Sequence, residues 1–157
     1  MSKVRLLAVG TRMPAWVRDA YAEYVARLPP HLKLTLTEID AAPRSAARTT
    51  GKSLQSEGER LLAAIRKDDF VVALDERGAQ LTTRELASWL AQRLGERHDL
   101  TFLIGGADGF APDVLARSNF RWSLSRLTFP HALVRVVLAE QLYRAHGVLT
   151  NHPYHRD

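Results

Sequence analysis

Cysteine is absent from this chain of 157 residues. That excludes disulfides, thiolate metal sites and cysteine nucleophiles, and it fits a reducing, cytoplasmic setting. Long apolar runs are absent too, and none approaches the roughly 20 residues needed to span a bilayer. The start, Met1-Ser2-Lys3-Val4-Arg5, leads into a short apolar run without a small-residue cleavage site, so no secretory leader is expected. There is no His-Glu-x-x-His element, no Gly-x-Ser-x-Gly elbow and no Walker loop, which argues against the metalloprotease, esterase and P-loop chemistries that need them.

Acidic residues are missing where basic ones are not. Between Asp113 and Glu140 the chain carries Arg117, Arg121, Arg126 and Arg135 and no carboxylate side chain. Arg44, Arg48 and Lys52 form a second acid-free stretch, and the net charge is +5. Two such stretches and a basic tail point to a polyanionic partner, nucleic acid first. The remainder of the composition, 46% hydrophobic and 25% charged, is that of a globular protein. The length suits one domain, residues 1–157.

Residues 4–10 (VRLLAVG) read as a buried strand ending at glycine. Pro14 opens a helix that runs to Leu28, where Pro29-Pro30 stops it; Trp16, Ala20, Tyr24 and Leu28 supply its apolar stripe. Residues 32–39 alternate apolar and polar, as a half-exposed strand does. Residues 41–53 have no apolar period and are expected to be a long mobile loop. A helix follows over 54–67, then a buried strand over 70–74 and a turn at Asp75-Glu76-Arg77-Gly78. Thr82 or Thr83 caps a helix to Leu94, with Gly95 after it. A strand at 100–104 runs into Gly105-Gly106-Ala107-Asp108-Gly109. A short helix at 112–117, a short strand at 121–125 and a last helix over 130–146 complete the chain, with Gly147 expected to close that helix. Strand and helix alternate five times, which predicts an α/β fold with a mostly parallel sheet of five to six strands flanked by helices.

Ligands of such sheets bind at the carboxyl ends of the strands. Three ends stand out: Leu74-Asp75, Gly105-Gly106, and the segment 123–129. The glycines do not fit G-x-G-x-x-G, because Ile104 stands where the first glycine belongs, and no ribose-binding acid follows. They are either a plain turn or bare backbone that an adenosine approaches closely. Segment 123–129 offers main-chain hydrogen bonds beside Leu124, Leu127 and Phe129, the ingredients of an adenine pocket; a buried connection is the alternative. The last helix carries His131 near that segment. It is apolar on the Val134, Leu138, Leu142 side and again at Leu133, Val136 and Val137, so one side suits the sheet and the other a second subunit. The chain ends Asn151-His152-Pro153-Tyr154-His155-Arg156-Asp157, unusually rich in titratable groups for a terminus. His146, His152 and His155 without a cysteine make a poor metal cage, and no metal is expected.

Taken together, several elements resemble one family: Ala8-Val9-Gly10, Ile104-Gly105-Gly106-x-x-Gly109, Thr128-Phe129-Pro130-His131 with Val134-Arg135, Glu140 with Tyr143-Arg144-Ala145, and His152-Pro153-Tyr154-His155-Arg156. In order and spacing, over nearly the whole chain, they are similar to the SPOUT-class large-subunit ribosomal RNA methyltransferase H family. The resemblance implies a C-terminal trefoil knot that forms an S-adenosylmethionine pocket, a homodimer, and methyl transfer to N3 of a pseudouridine in 23S rRNA of the assembled ribosome. It places cofactor contacts on Leu74, Gly105, Leu124, Ser125, Arg126, Leu127, Thr128 and Phe129.

An imide nitrogen must lose a proton as it is methylated, so charge handling is required. Arg144 and Arg156 suit a developing imidate, and Tyr154 suits stacking on a flipped base. His131, His152, His155 and Glu140 are the candidate bases. The expected catalytic set is His131, Arg144, Tyr154, His155 and Arg156. Two alternatives predict other outcomes. A non-catalytic ribosome- or RNA-binding protein of the same fold would bind no S-adenosylmethionine. A metabolite enzyme would show no steep salt dependence of substrate binding.

Overall fold

The computed structural model describes residues 2–43 and 50–156. Five strands form one parallel sheet: β1 (Val4–Val9), β2 (Leu34–Ile39), β3 (Phe70–Gln80), β4 (Leu100–Ile104) and β5 (Phe120–Ser123). Their order across the sheet is β2-β1-β4-β3-β5. Five α-helices connect them: α1 (Ala15–Arg27), α2 (Thr50–Ala64), α3 (Thr83–Leu94), α4 (Pro112–Arg117) and α5 (His131–Leu149). The expected α/β class and parallel sheet are present.

Strand alternation divides the core in two. Leu6, Val72, Phe102, Trp122, Leu86, Leu90, Leu138 and Leu142 pack together on the side of α1, α3 and α5. Leu7, Val9, Val71 and Leu103 face the other way, against Leu61 of α2 and Val114 of α4. A parallel sheet buried on both faces explains why β4 is buried at every position. The α3 cap is a full capping box. Thr82 Oγ1 accepts from the Glu85 N–H, and Glu85 accepts from the Thr82 N–H.

Four expectations need correction. The buried side of α1 is Val17 with Tyr21 and Val25, one position along from the expected Trp16, Ala20 and Tyr24; Leu28 is buried as expected, and Trp16 is 59% exposed. Both stripes have helical spacing, and α5 packing across α1 selects between them. Residues 50–53 belong to α2 and not to a loop. Ser53, Glu57 and Leu61 share a buried face of this helix, and Glu57 Oε2 accepts the Ala42 N–H at 2.9 Å. Residues 44–49 of that expected loop, with Arg44 and Arg48, lie outside the described residues.

The expected turn at 75–78 lies inside β3. Leu74 and Ala79 both stand opposite Trp122, so the four residues between them bulge out of register while the strand continues. Gly78 makes this possible: a Cβ there would stand 2.5 Å from the Arg121 backbone. Finally, Gly147 lies inside α5 and does not end it. The reversal falls on Asn151 at φ 56, where the His152 N–H bonds Gly147 O at 2.8 Å and the Asn151 N–H bonds Val148 O at 3.3 Å. That is a Schellman arrangement with asparagine in the left-handed position.

Candidate functional site

A cavity of about 480 Å³ opens between the bulge of β3, the ends of β4 and β5 and the start of α5. The β3 bulge supplies one wall with Leu74, Asp75, Glu76 and Arg77. The glycine segment after β4 supplies a second, from Gly105 to Phe110. It is folded on itself by a Gly106–Gly109 bridge. The third wall is the segment after β5, with Leu124, Ser125, Leu127, Thr128 and Phe129. Short polar bonds hold that segment. Ser123 Oγ donates to Ser125 O at 2.8 Å, Ser125 Oγ accepts the Leu127 N–H at 3.0 Å, and Thr128 Oγ1 donates to Glu76 Oε2 at 2.9 Å. The last bond joins two walls. Leu127 stands 70% exposed at the cavity, an apolar residue in search of a contact.

Seven of the eight residues expected to hold a cofactor line this space: Leu74, Gly105, Leu124, Ser125, Leu127, Thr128 and Phe129. Arg126 does not; its side chain is exposed on the same loop. His131, the first residue of α5, lines it as well. Sequence reasoning missed Glu76, Arg77, Asp108, Arg121 and Trp122. The first two were hidden because a bulge leaves no period in the sequence. Trp122 is 3% exposed, and its Nε1 has no acceptor among the described residues. An adenosine-sized ligand suits the volume and the apolar walls. A cationic one suits the carboxylates of Asp75, Glu76 and Asp108, and one bearing a hydrogen-bond acceptor would satisfy Trp122.

The other four expected catalytic residues are not at this cavity. Three of them gather on the far half of α5. Glu140 Oε1 accepts from Arg144 Nε at 2.8 Å and from the Tyr154 hydroxyl at 3.1 Å. Arg144 lies over the Tyr154 ring, 4.7 Å from its centre, with His155 Nδ1 3.4 Å from Nη1. Tyr154 meets Tyr143 edge to face at 4.6 Å. Burial first, then the Glu140 charge and hydrogen bond, push the Tyr154 phenol up to about 12. Burial alone would lower Arg144, but its hydrogen bond and charge pairing with Glu140 outweigh that and raise it. Arg156 is exposed beyond this cluster. His131 and Arg144 are thirteen residues apart on one helix, about 20 Å at 1.5 Å per residue.

The chain that builds this sheet, and a ligand-sized cavity from segments 74–77, 105–110 and 124–129, matches a family model described as "Predicted SPOUT methyltransferase" over residues 2–155. The chain belongs to the SPOUT methyltransferase family, as the sequence motifs indicated. Within that family, it is 52% identical over 155 residues to the "Ribosomal RNA large subunit methyltransferase H" of Thiobacillus denitrificans, covering 99% of both chains. It is 50% identical over 155 residues to the protein of the same name from Thioalkalivibrio sulfidiphilus, again covering 99% of each. Among solved structures, a "Probable Methyltransferase" from Bordetella pertussis superposes with TM-score 0.61 at 15% identity, over 92% of this chain and 94% of that one. That likeness is one of fold. Among the described residues no helix is long and apolar enough to cross a membrane.

Proposed function

We propose that this chain transfers the methyl group of S-adenosylmethionine to N3 of a pseudouridine in 23S rRNA, acting as a cytoplasmic homodimer on the assembled ribosome. The observation that carries this is the convergence of Leu74, Gly105 and the 124–129 segment on one cavity, in a chain half identical over its whole length to relatives named for ribosomal RNA large-subunit methylation.

The cavity residues fit the cofactor. Main-chain groups and apolar side chains of 124–129 suit the adenine, Trp122 Nε1 offers an unmet donor, and the Asp75, Glu76 and Asp108 carboxylates suit a ligand with cationic groups. When bound, the cofactor supplies an electrophilic methyl group. Its walls come from elements far apart in sequence, in keeping with a knotted chain path.

The tail groups handle the base. Arg144 lies about 20 Å along α5 from His131, and Tyr154 and His155 dock on the Glu140–Arg144 stretch, so the tail stands apart from its own protomer's cavity and a partner's tail completes each site. The half-exposed apolar residues Leu133, Val136 and Val137 of α5 offer that partner a surface. Arg144 and Arg156 stabilise charge developing on the imide, and desolvation strengthens them there. The Tyr154 phenol, held up at about 12, stays protonated and stacks on or donates to the base. His155, beside Arg144, accepts the N3 proton. Holding both reactants in line is worth roughly 7–11 kcal/mol of the barrier.

The test is incubation with labelled S-adenosylmethionine and ribosomes, followed by mapping of the labelled nucleotide. Label at a pseudouridine N3 of 23S rRNA is expected. No label, with no cofactor binding by calorimetry, would return the chain to the non-catalytic alternative.

A further inference from the structure

A second cavity, of about 270 Å³, lies between α1, the ends of β1 and β2, and α5. Arg12, Arg18, Tyr21, Glu38 and Arg135 line it. Only one turn of α5 separates it from the first cavity. His131 lines the first and Arg135 the second, and both reach Gly10: a Cβ there would stand 3.6 Å from His131 Nε2 and 3.8 Å from Arg135 Nη2.

Its polar groups are unbalanced. Arg135 is 2% exposed. Nη1 donates to Glu38 Oε2 at 2.6 Å and Nη2 to the Gly10 carbonyl at 2.8 Å, but its buried Nε has no acceptor among the described residues. The Tyr21 hydroxyl is buried without a partner in the same way. Burial pushes that phenol well above its usual value, with Arg135 opposing only in part, so it remains a donor. Arg12 and Arg18 are exposed, and no side-chain partner of either is found among the described residues. Every unmet group is a donor, and three of the four residues are cationic. The one carboxylate, Glu38, is already paired with Arg135. Buried donors left without acceptors are rare in folded proteins. What satisfies this set is an acceptor-rich anion, and forked guanidiniums match a phosphate well.

We propose that this second cavity binds an oxyanion, a backbone phosphodiester of the RNA strand beside the nucleotide being methylated. The choice of RNA rests on the methylation reading above; the oxyanion site rests on the cavity alone. Phosphate contacts of this kind set the register of a nucleic acid, and this one would seat the strand a helix turn from His131.

Two measurements test it on the full-length protein. In nitrogen-15 spectra of arginine Nε–H groups, added inorganic phosphate should shift Arg135 saturably. The shift should disappear in the double variant Arg12→Gln/Arg18→Gln and weaken severalfold in Tyr21→Phe, which removes only the hydroxyl. In ribosome methylation, the double variant should raise KM about tenfold or more and flatten the log–log salt dependence by about one to two units. S-adenosylmethionine affinity should stay at the wild-type value, which reports an intact fold. An Arg135 Nε signal indifferent to phosphate, or a double variant with wild-type KM and salt slope, overturns the proposal. If wild-type protein methylates no ribosome yet shows the saturable shift, the oxyanion site stands and the methylation reading falls.

Discussion

Glu140 holds Arg144 and Tyr154 at a single carboxylate oxygen, so this residue sets the geometry and proton state of the tail. Replacing it with glutamine removes the charge while keeping an acceptor. In Glu140→Gln, the Tyr154 phenol should titrate below its value of about 12 and move towards the usual tyrosine range. Tyrosinate absorbance during alkaline titration reads this directly, and an unmoved curve would disprove the link. His146 gives a second residue-scale prediction. Burial first, then the charges of His31 and His152, lower its pKa, and the His31 ring lies 5.8 Å away. The unfolded chain therefore takes up this proton at a higher pH than the folded one. Stability is full above about pH 6.5, declines as pH falls through the window below it, and levels off once the folded histidine is also protonated. Melting temperatures from about pH 7.5 to about pH 5.5 should fall less steeply in His146→Gln than in wild type. Parallel curves would show that His146 contributes nothing. Neither effect was legible in the sequence, because Glu140 lies fourteen residues before Tyr154 and His31 is contributed by another part of the chain.

At the scale of elements, local signals predicted well and contact-dependent ones did not. The cap of α3, expected at Thr82 or Thr83 and found at Thr82, the prolines around α1 and the buried runs of β1 and β4 are local, and the structure has them where the residues say. The α1 stripe went wrong up to Tyr24 because Trp16–Tyr24 and Val17–Tyr21 are both apolar at helical spacing, and only α5 decides which is buried; Leu28 is buried as expected. The β3 bulge went wrong because Asp-Glu-Arg-Gly reads as a turn, whereas β5 pairs on both sides of it. Gly78→Ala tests that bulge. The added methyl meets the Arg121 backbone, which cannot swing aside as a side chain does. Overpacking of this kind costs about 1–3 kcal/mol. Because Asp75, Glu76 and Arg77 line the cavity, S-adenosylmethionine affinity should fall with it. A denaturation midpoint and a calorimetric titration both at wild-type values would show that the bulge tolerates a side chain.

For the whole molecule, the distance between cavity and tail is the fact that matters most. If a partner's tail completes each site, two individually dead variants should rescue one another. One lacks residues 151–157; the other carries Leu124→Arg in the cavity wall. Co-expressed, about half of the dimers are mixed, and each mixed dimer has one intact site, so about a quarter of wild-type methylation should return. No recovery, with mixed dimers demonstrated, would mean that each tail serves its own chain. The tail-less variant should still bind S-adenosylmethionine, since none of 151–156 lines that cavity.

By itself the sequence determined the alternation of strand and helix, the parallel sheet, the three strand ends that build the cavity, and the chemical character of the tail. Each depends on hydrophobic period, capping or residue type within a few positions, and those are written locally. Only the tertiary structure decided which α1 face is buried, where β3 bulges, that Arg135 is sealed against Glu38 and Gly10, and that the tail docks on Glu140 and not at its own cavity. These are settled by contacts between segments far apart in the chain, where several local patterns are equally good and packing selects one.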